Sequence, residues 1–343
     1  MRKASSLNVT RIAGILVGIV SLPCLAASIS EARAAMAQFQ AERQLALDAQ
    51  TQNDAKAAAE HQTKALEYLR QTQQFYEQAG ASSARDVRVL RDYADVLLRV
   101  GDSDLAAKAL QRVVRYVADD AAAWRELGRA LSTLGHRRAG ESIRALRRSL
   151  DLDSTTADAA NTHAILGRVY RQEGLFGLAE ESFSKGLTVD SSHIPSKLGL
   201  IAAKIGNGQV REASDDLDGL GLIPPDYSNE LPALLADAVQ RFEQSRRWFA
   251  DAAENHVAYA RILFRIGRVR ESLNAAERAA KLAPDTYTTW NFIGDLSRQL
   301  NNLARSREAY TRSLELNPDQ PRTVEALQAL DQTSPTEPRN NPS

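Results

Sequence analysis

A short pattern recurs along this chain at a fixed distance of 34 residues. Residues 90–94 (LRDYA) stand 34 residues before residues 124–128 (WRELG), and residues 256–260 (HVAYA) stand the same distance before residues 290–294 (WNFIG). In each copy a large residue is followed three positions later by a second one, which puts both on one face of a helix. A period in this range predicts a repeat array rather than two ordinary globular domains.

The pattern resembles the tetratricopeptide repeat, a helix-turn-helix unit of 34 residues that opens on large residues and closes on proline. The resemblance covers residues 86–319, with a gap near 228–252. It implies an all-α fold, a right-handed α-solenoid of stacked helix-turn-helix repeats. No unit of this kind can bury its apolar face alone, so we expect stability to come from stacked neighbours.

Six units are predicted, with units 1–4 over residues 86–227 and units 5–6 over residues 253–320. Unit 2 carries two additional residues near 138–140, and three more are expected within 154–160. Gly128, Gly167 and Gly294 stand where the paired helices should approach closely. Four further glycines fall where the turn inside a unit belongs, and we expect a left-handed backbone there: Gly101, Gly135, Gly174 and Gly267.

The remaining segments frame this array. Residues 28–80 are rich in Ala, Gln and Glu and predict an N-terminal helical cap or a degenerate repeat, with a break near Thr51 to Asp54. A linker is predicted at 219–232, followed by one helix over 233–253 that carries Phe242, Trp248 and Phe249, so that 228–252 links the two blocks. A C-terminal capping helix is expected at 321–332, and a disordered tail at 333–343.

The N-terminus has the layout of a secretory signal peptide at 1–27. Three basic residues precede the apolar stretch Ile12–Leu22, and small residues follow Pro23. Cleavage after Ala27 would remove Cys24, the only cysteine, and leave a formal net charge of −3. These features predict a periplasmic or secreted protein. An uncleaved membrane anchor is the alternative, and a lipid attachment at Cys24 fits poorly because Pro23 stands where a small residue is needed.

Charge and motif content argue against most other classes of protein. The chain has 43 basic and 43 acidic residues, without the basic excess typical of a nucleic-acid binder. Its histidines show no metal-ligand spacing, and His163 and His256 take the place that tryptophan holds in other units. No phosphate-binding loop or nucleophile motif occurs. We therefore expect no enzyme activity, no cofactor and no metal.

Arginine placement is the strongest functional signal. The family resemblance implies that the first helix of each unit lines a concave groove, and the arginines that fall on this face are Arg88, Arg91, Arg99, Arg125, Arg129, Arg168, Arg171, Arg261, Arg265 and Arg298. We call these ten the groove arginines. Leu198, Ala202 and Ile205 would form an apolar patch among them. Guanidinium groups bind carboxylates and phosphates through paired hydrogen bonds, although these arginines can equally pair with nearby Asp or Glu of the chain itself.

A second basic cluster lies at His136–Arg138 with Arg144, Arg147 and Arg148. It predicts either contact with an anionic membrane surface or a solvated helix face.

These observations favour a non-enzymatic scaffold of the bacterial cell envelope. Its groove would take an acidic or carboxylate-bearing protein partner, for envelope, pilus or exopolysaccharide export assembly, as the family resemblance implies. Direct binding of an anionic polysaccharide in the groove is the alternative. An enzyme whose catalytic residues converge only in space is a third possibility.

Overall fold

The computed structural model describes residues 22–245 and 248–332, and every regular element in these ranges is helical. Residues 1–21 of the predicted signal peptide and the predicted tail at 333–343 lie outside them. The α-helices are α1 (Leu22–Thr51), α2 (Ala55–Gln78), α3 (Val87–Val100), α4 (Ser103–Tyr116), α5 (Ala121–Ser132), α6 (His136–Leu152), α7 (Ala157–Gln172), α8 (Phe176–Val189), α9 (Ile194–Asn207), α10 (Val210–Asp218), α11 (Pro225–Gln244), α12 (Ala253–Arg265), α13 (Val269–Leu282), α14 (Tyr287–Gln299), α15 (Leu303–Leu316) and α16 (Pro321–Gln332). The predicted all-α class is confirmed.

The chain divides into two compact units, one ending at Ala118 and one beginning at Asp119. In the first unit α1 packs along α2, and α2 packs against α3. The break between α1 and α2 contains Asn53 with a φ of 58°, and Asp54 caps α2 by accepting a hydrogen bond from the Ala57 amide at 3.0 Å. No helix in the described ranges is both long and apolar enough to span a bilayer.

The second unit is built from helix hairpins that pack on their neighbours: α5–α6, α7–α8, α9–α10, α12–α13 and α14–α15. In several of these hairpins a buried serine of the second helix donates a hydrogen bond to a backbone carbonyl of the first helix. Ser142 donates to the Gly128 carbonyl at 2.7 Å, and Ser306 donates to the Gly294 carbonyl at 2.8 Å. Because both bonds join equivalent positions, they fix the register of the hairpins.

The glycines at the crossing positions lie where the two helices of a hairpin approach closely, as predicted. A Cβ placed on Gly294 would lie 2.4 Å from the Tyr310 ring, and one on Gly128 would lie 2.4 Å from Leu146. The turns also follow the prediction, because all four turn glycines have positive φ. In the last hairpin Asn301 takes this place with a φ of 58°.

The two insertions lengthen helices and leave the loops unchanged. Helix α6 has 17 residues where α8, α13 and α15 have 14, and its extra residues precede Ser142. Helix α7 has 16 residues where α12 and α14 have 13, and its three extra residues precede Gly167.

The link between the two predicted blocks is different from the expectation. Helix α11 begins at Pro225, inside the segment predicted as a linker, because proline is well tolerated in a first helical turn. It ends at Gln244, so Trp248 and Phe249 do not belong to it. Phe249 nevertheless packs on Phe242 of α11, with ring centroids 5.9 Å apart. The helix buries Leu235, Ala238, Val239 and Phe242 against α9, α10 and α12.

Candidate functional site

In the first unit the groove arginines lie on α3, and α1 reaches two side chains of that helix. Arg99 pairs with Asp95 at 2.8 Å, and its guanidinium lies 5.7 Å from the Phe39 ring of α1. Arg33 of α1 pairs with Asp92 at 3.0 Å. Arg91 lines the open cavity of about 510 Å³ beside that pair. Arg88 is exposed and has no ion pair within the described ranges.

On α5 both groove arginines bind carboxylates of the second compact unit. Arg125 contacts Asp158 of α7 at 2.8 Å and Glu126 at 3.4 Å, and only 16% of its side chain is exposed. Burial alone would lower the pKa of Arg125, but the two carboxylates outweigh it and raise that pKa. Arg129 binds Glu126 at 2.6 Å. Arg125 therefore joins two hairpins, and we assign it a structural role.

On α7 the groove arginines face helix α11. Arg171 is buried and pairs with Asp237, which also accepts a hydrogen bond from Arg241 at 3.0 Å. Arg241 donates a second bond to the Gln172 carbonyl at 3.1 Å. Burial would raise the pKa of Asp237, but the two guanidinium groups lower it overall. Arg168 is exposed, yet desolvation by the protein around it lowers its pKa, Arg171 lowers that pKa further, and Glu230 of α11 opposes both.

The predicted apolar patch lies in the interior of the second unit. Ala202 and Ile205 belong to the core that α11 closes, and both are fully buried. Leu198 is buried as well. The expectation that these residues present an apolar surface to a partner is wrong, because the apolar side of α11 already covers that face of α9. One signal of this covering is present in the sequence, because Glu230 and Asp237 lie seven residues apart and so place two acids on one face of α11.

On α12 and α14 the groove face carries aromatic as well as basic side chains. Phe264 is 41% exposed and meets Phe292 edge to face, with centroids 5.9 Å apart. Arg265 and Arg261 share one carboxylate, Asp218, at 2.7 and 3.5 Å. About half of each of these three charged side chains is exposed.

The rest of this face belongs to α14. Arg298 is exposed and has no ion pair among the described residues. Asp295 accepts a hydrogen bond from the Tyr310 hydroxyl at 2.6 Å. Asn291 is engaged by α16, because its amide donates to Gln320 at 2.5 Å and its oxygen accepts from Thr323 at 3.1 Å. We call Arg261, Phe264, Arg265, Phe292 and Arg298 the open face.

The second basic cluster is partly neutralised. His136 lies 2.7 Å from Glu173, Arg138 pairs with Glu141 at 2.8 Å, and Arg147 donates to the Tyr170 hydroxyl at 2.8 Å. Arg144 and Arg148 are exposed, and the described part of the chain offers them no ion pair.

Within residues 22–245 and 248–332 no cluster of three His, Cys, Asp or Glu has the geometry of a metal site. The pKa of Tyr76 and that of Tyr310 both rise to about 12, chiefly because burial disfavours the phenolate. Both rings are core residues of their hairpins, so these shifts reflect packing.

The sequence model of the tetratricopeptide repeat family matches residues 92–135 and 258–321. These two segments of the chain carry tetratricopeptide repeats. Proteins built from such repeats are generally non-catalytic scaffolds that bind other proteins, and the hairpins described above give this chain the same construction. No curated protein sequence matches the chain.

Solved structures of tetratricopeptide repeat proteins are similar to parts of the fold. YrrB, described as a tetratricopeptide repeat protein with an unusual peptide-binding site, is 17% identical, with 65% of this chain and 99% of that chain covered and a TM-score of 0.32. A tetratricopeptide repeat protein from Parabacteroides merdae is 12% identical over 86% of this chain and 99% of its own, with a TM-score of 0.38. The P58(IPK) repeat domain is 15% identical over 90% and 93%, with a TM-score of 0.33. At these scores nothing about partners transfers from them.

Proposed function

We propose that this chain is a non-enzymatic scaffold of the bacterial cell envelope whose open face binds a carboxylate-bearing segment of a partner protein. The observation that carries the proposal is the exposed Phe264, which stands among Arg261, Arg265 and Arg298 on consecutive first helices. Aromatic and arginine side chains dominate the energetics of protein interfaces.

The electrostatics of the open face suit a carboxylate. Arg261 and Arg265 both rely on Asp218, and ion pairs as exposed as these contribute little to stability. An incoming carboxylate can therefore take over one guanidinium without disturbing the fold. Arg125 and Arg171, by contrast, hold structural ion pairs.

Capture of partners from crosslinked cells with the full chain tests this proposal. Phe264→Ala and Arg265→Glu should each lose a protein that the wild type retains. Arg270→Glu is the matched control, because Arg270 is exposed and lies on the second helix of the same hairpin. Equal recovery with all four proteins would refute the open face as the binding surface.

Direct binding of an anionic polysaccharide is the alternative. Six groove arginines already form ion pairs with carboxylates of the chain, which weakens this alternative. Recovery of carbohydrate without protein, in a form released by added salt, would favour it.

The proposed location rests on the N-terminal sequence. Export to the periplasm predicts that protein isolated from the envelope begins after Ala27. Sequencing its N-terminus checks this, and an intact Met1 in that fraction would contradict cleavage.

A further inference from the structure

Three hairpins of the second unit lack the tryptophan that the other two place four residues before the crossing position, and two of these three carry histidine there. Trp124 and Trp290 hold this position before Gly128 and Gly294. His256 holds it before Ala260, and His163 holds it before Gly167. An imidazole fills less space than an indole, so a gap opens over the first helix at both histidines.

In the hairpin α12–α13 the chain fills this gap itself. The Phe249 ring meets His256 edge to face at 5.1 Å and lies 5.4 Å from the Tyr259 ring. Two residues further on, Asp251 lies 2.7 Å from His256 Nε2 and accepts a hydrogen bond from Arg278 at 2.5 Å. These two bonds lower the pKa of Asp251. A ring and a carboxylate two positions apart thus cover the histidine.

In the hairpin α7–α8 the equivalent residues are His163, Leu166 and Lys185. Lys185 lies eighteen residues after Gly167, as Arg278 lies eighteen after Ala260, and the second helices α8 and α13 both have 14 residues. All three line an open cavity of about 450 Å³. His163 Nδ1 is buried and has no hydrogen-bond partner in the described chain.

The three-residue insertion explains why this cavity stays uncovered. Asp158 stands nine residues before Gly167, as Asp251 stands nine before Ala260. Because the insertion makes α7 begin at Ala157, Asp158 lies inside the helix and pairs with Arg125 at 2.8 Å. The position that corresponds to Phe249 is Thr156, which has no ring.

We propose that this cavity binds an extended segment of a partner protein that carries an aromatic residue and, two positions later, Asp or Glu. The ring packs on His163 and Leu166, and the carboxylate lies between His163 and Lys185, as Phe249 and Asp251 do in the fifth repeat. The site is separate from the open face and does not depend on it.

The walls of the cavity fit the ring, and its cations fit the carboxylate. Leu150 and Leu178 add apolar wall, and Arg147 adds a second cation to Lys185, while Asp151 and Glu181 are the acids of the lining. Lys185 pairs with Glu181 at 2.6 Å across one helical turn, an exposed pair of low strength. Its ammonium group has three donors, so it can accept a second carboxylate without losing the first.

A segment of another protein is the occupant we propose. Residues 1–21 and 333–343 contain no Phe, Tyr or Trp, so these residues do not supply the ring. The segment 248–252 is already engaged over His256.

A fluorescent peptide with the sequence of residues 248–252 (WFADA) is a direct probe for the full chain. We expect saturable binding in a fluorescence anisotropy titration. Replacing Phe by Ala, or Asp by Asn, in the peptide should weaken binding about tenfold or more, since each change removes one of the two contacts. No binding at millimolar protein, or equal binding of all three peptides, would overturn the proposal.

Protein variants locate the binding. His163→Trp restores the residue found in other repeats and should abolish binding without lowering Tm, because the indole fills the cavity. Lys185→Gln should weaken binding about tenfold. Lys108→Gln is the matched control, because Lys108 forms an exposed pair of the same spacing with Asp104 in the first unit. If Lys185→Gln and His163→Trp both bind the peptide as tightly as Lys108→Gln does, the cavity is not the site.

Discussion

Two stretches of first helices in the second unit, α7–α9 and α12–α14, carry similar side chains and use them differently. On α7 and α9, Arg171 and the apolar patch are covered by α11, which supplies Asp237 and a row of aliphatic residues. On α12, Arg261 and Arg265 share the carboxylate of Asp218, and these side chains and that of Phe264 remain about half exposed. Arg171 and the apolar patch of the first stretch are buried, whereas the second stretch is surface.

This difference shows that a row of arginines in a repeat sequence does not measure available charge. The chain neutralises most of its groove arginines with its own acids, some from the same helix and some from neighbours. The aromatic residue beside an arginine distinguishes the surface stretch better than the arginine itself, because Phe264 remains partly exposed whereas the apolar patch of α9 is buried.

The largest loss of stability is expected from a charge placed beneath α11, in the covered stretch. Val239 is fully buried against α9 and α12, so Val239→Asp is expected to destabilise the fold by about 3–5 kcal/mol. Urea unfolding followed by circular dichroism measures the change. Gln240→Asp is the control, since its neighbouring position is exposed and should shift the free energy of unfolding by less than about 0.5 kcal/mol. Similar losses in both variants would mean that α11 does not close a core.

The ion pairs of Asp237 make the covered stretch sensitive to acid. Since the folded-state pKa of Asp237 is lowered, its contribution is complete above its unfolded-state pKa of about 3.9 and disappears as the pH falls through the folded-state value. Asp237→Asn should therefore be less stable than the wild type near neutral pH, and the gap should narrow as the pH falls below about 4. Urea midpoints at several pH values check this. A gap that stays constant with pH would show that the pairs with Arg171 and Arg241 add nothing.

The smallest effect on stability is expected on the open face. Phe264→Ala should cost about 1 kcal/mol or less because the ring is partly in water already, whereas Phe242→Ala beneath α11 should cost about 3–5 kcal/mol. Thermal unfolding of the two variants measures both losses of stability. Equal losses would place Phe264 in the core and remove the basis for the open face.

The hairpins could be predicted because each depends on local residues. At Gly128 and Gly294 only glycine leaves room for the side chain of the paired helix, and Gly174 and Gly267 suit a left-handed turn. Even the insertions could be located from the broken 34-residue spacing. Whether they extend a loop or a helix depends on how the added residues pack, which the spacing alone does not reveal.

Helix α11 and the state of the groove arginines could not be predicted in the same way. Two adjacent prolines indicate a linker when they are considered alone, but at the start of a helix they are compatible with its first turn. The ion pair of Arg171 with Asp237 joins residues far apart in the sequence. Such pairs depend on where α11 packs, and no local pattern encodes that.

Because α11 is covalently attached to the helices it covers, it competes with any free ligand at an effective concentration on the order of millimolar. A free segment of equal intrinsic affinity present at about micromolar concentration would be outcompeted roughly a thousandfold on α7 and α9. The chain thus holds one stretch of its arginine-bearing surface permanently saturated. Of these two stretches, only α12 and α14 are left for a partner that recognises arginine and apolar side chains.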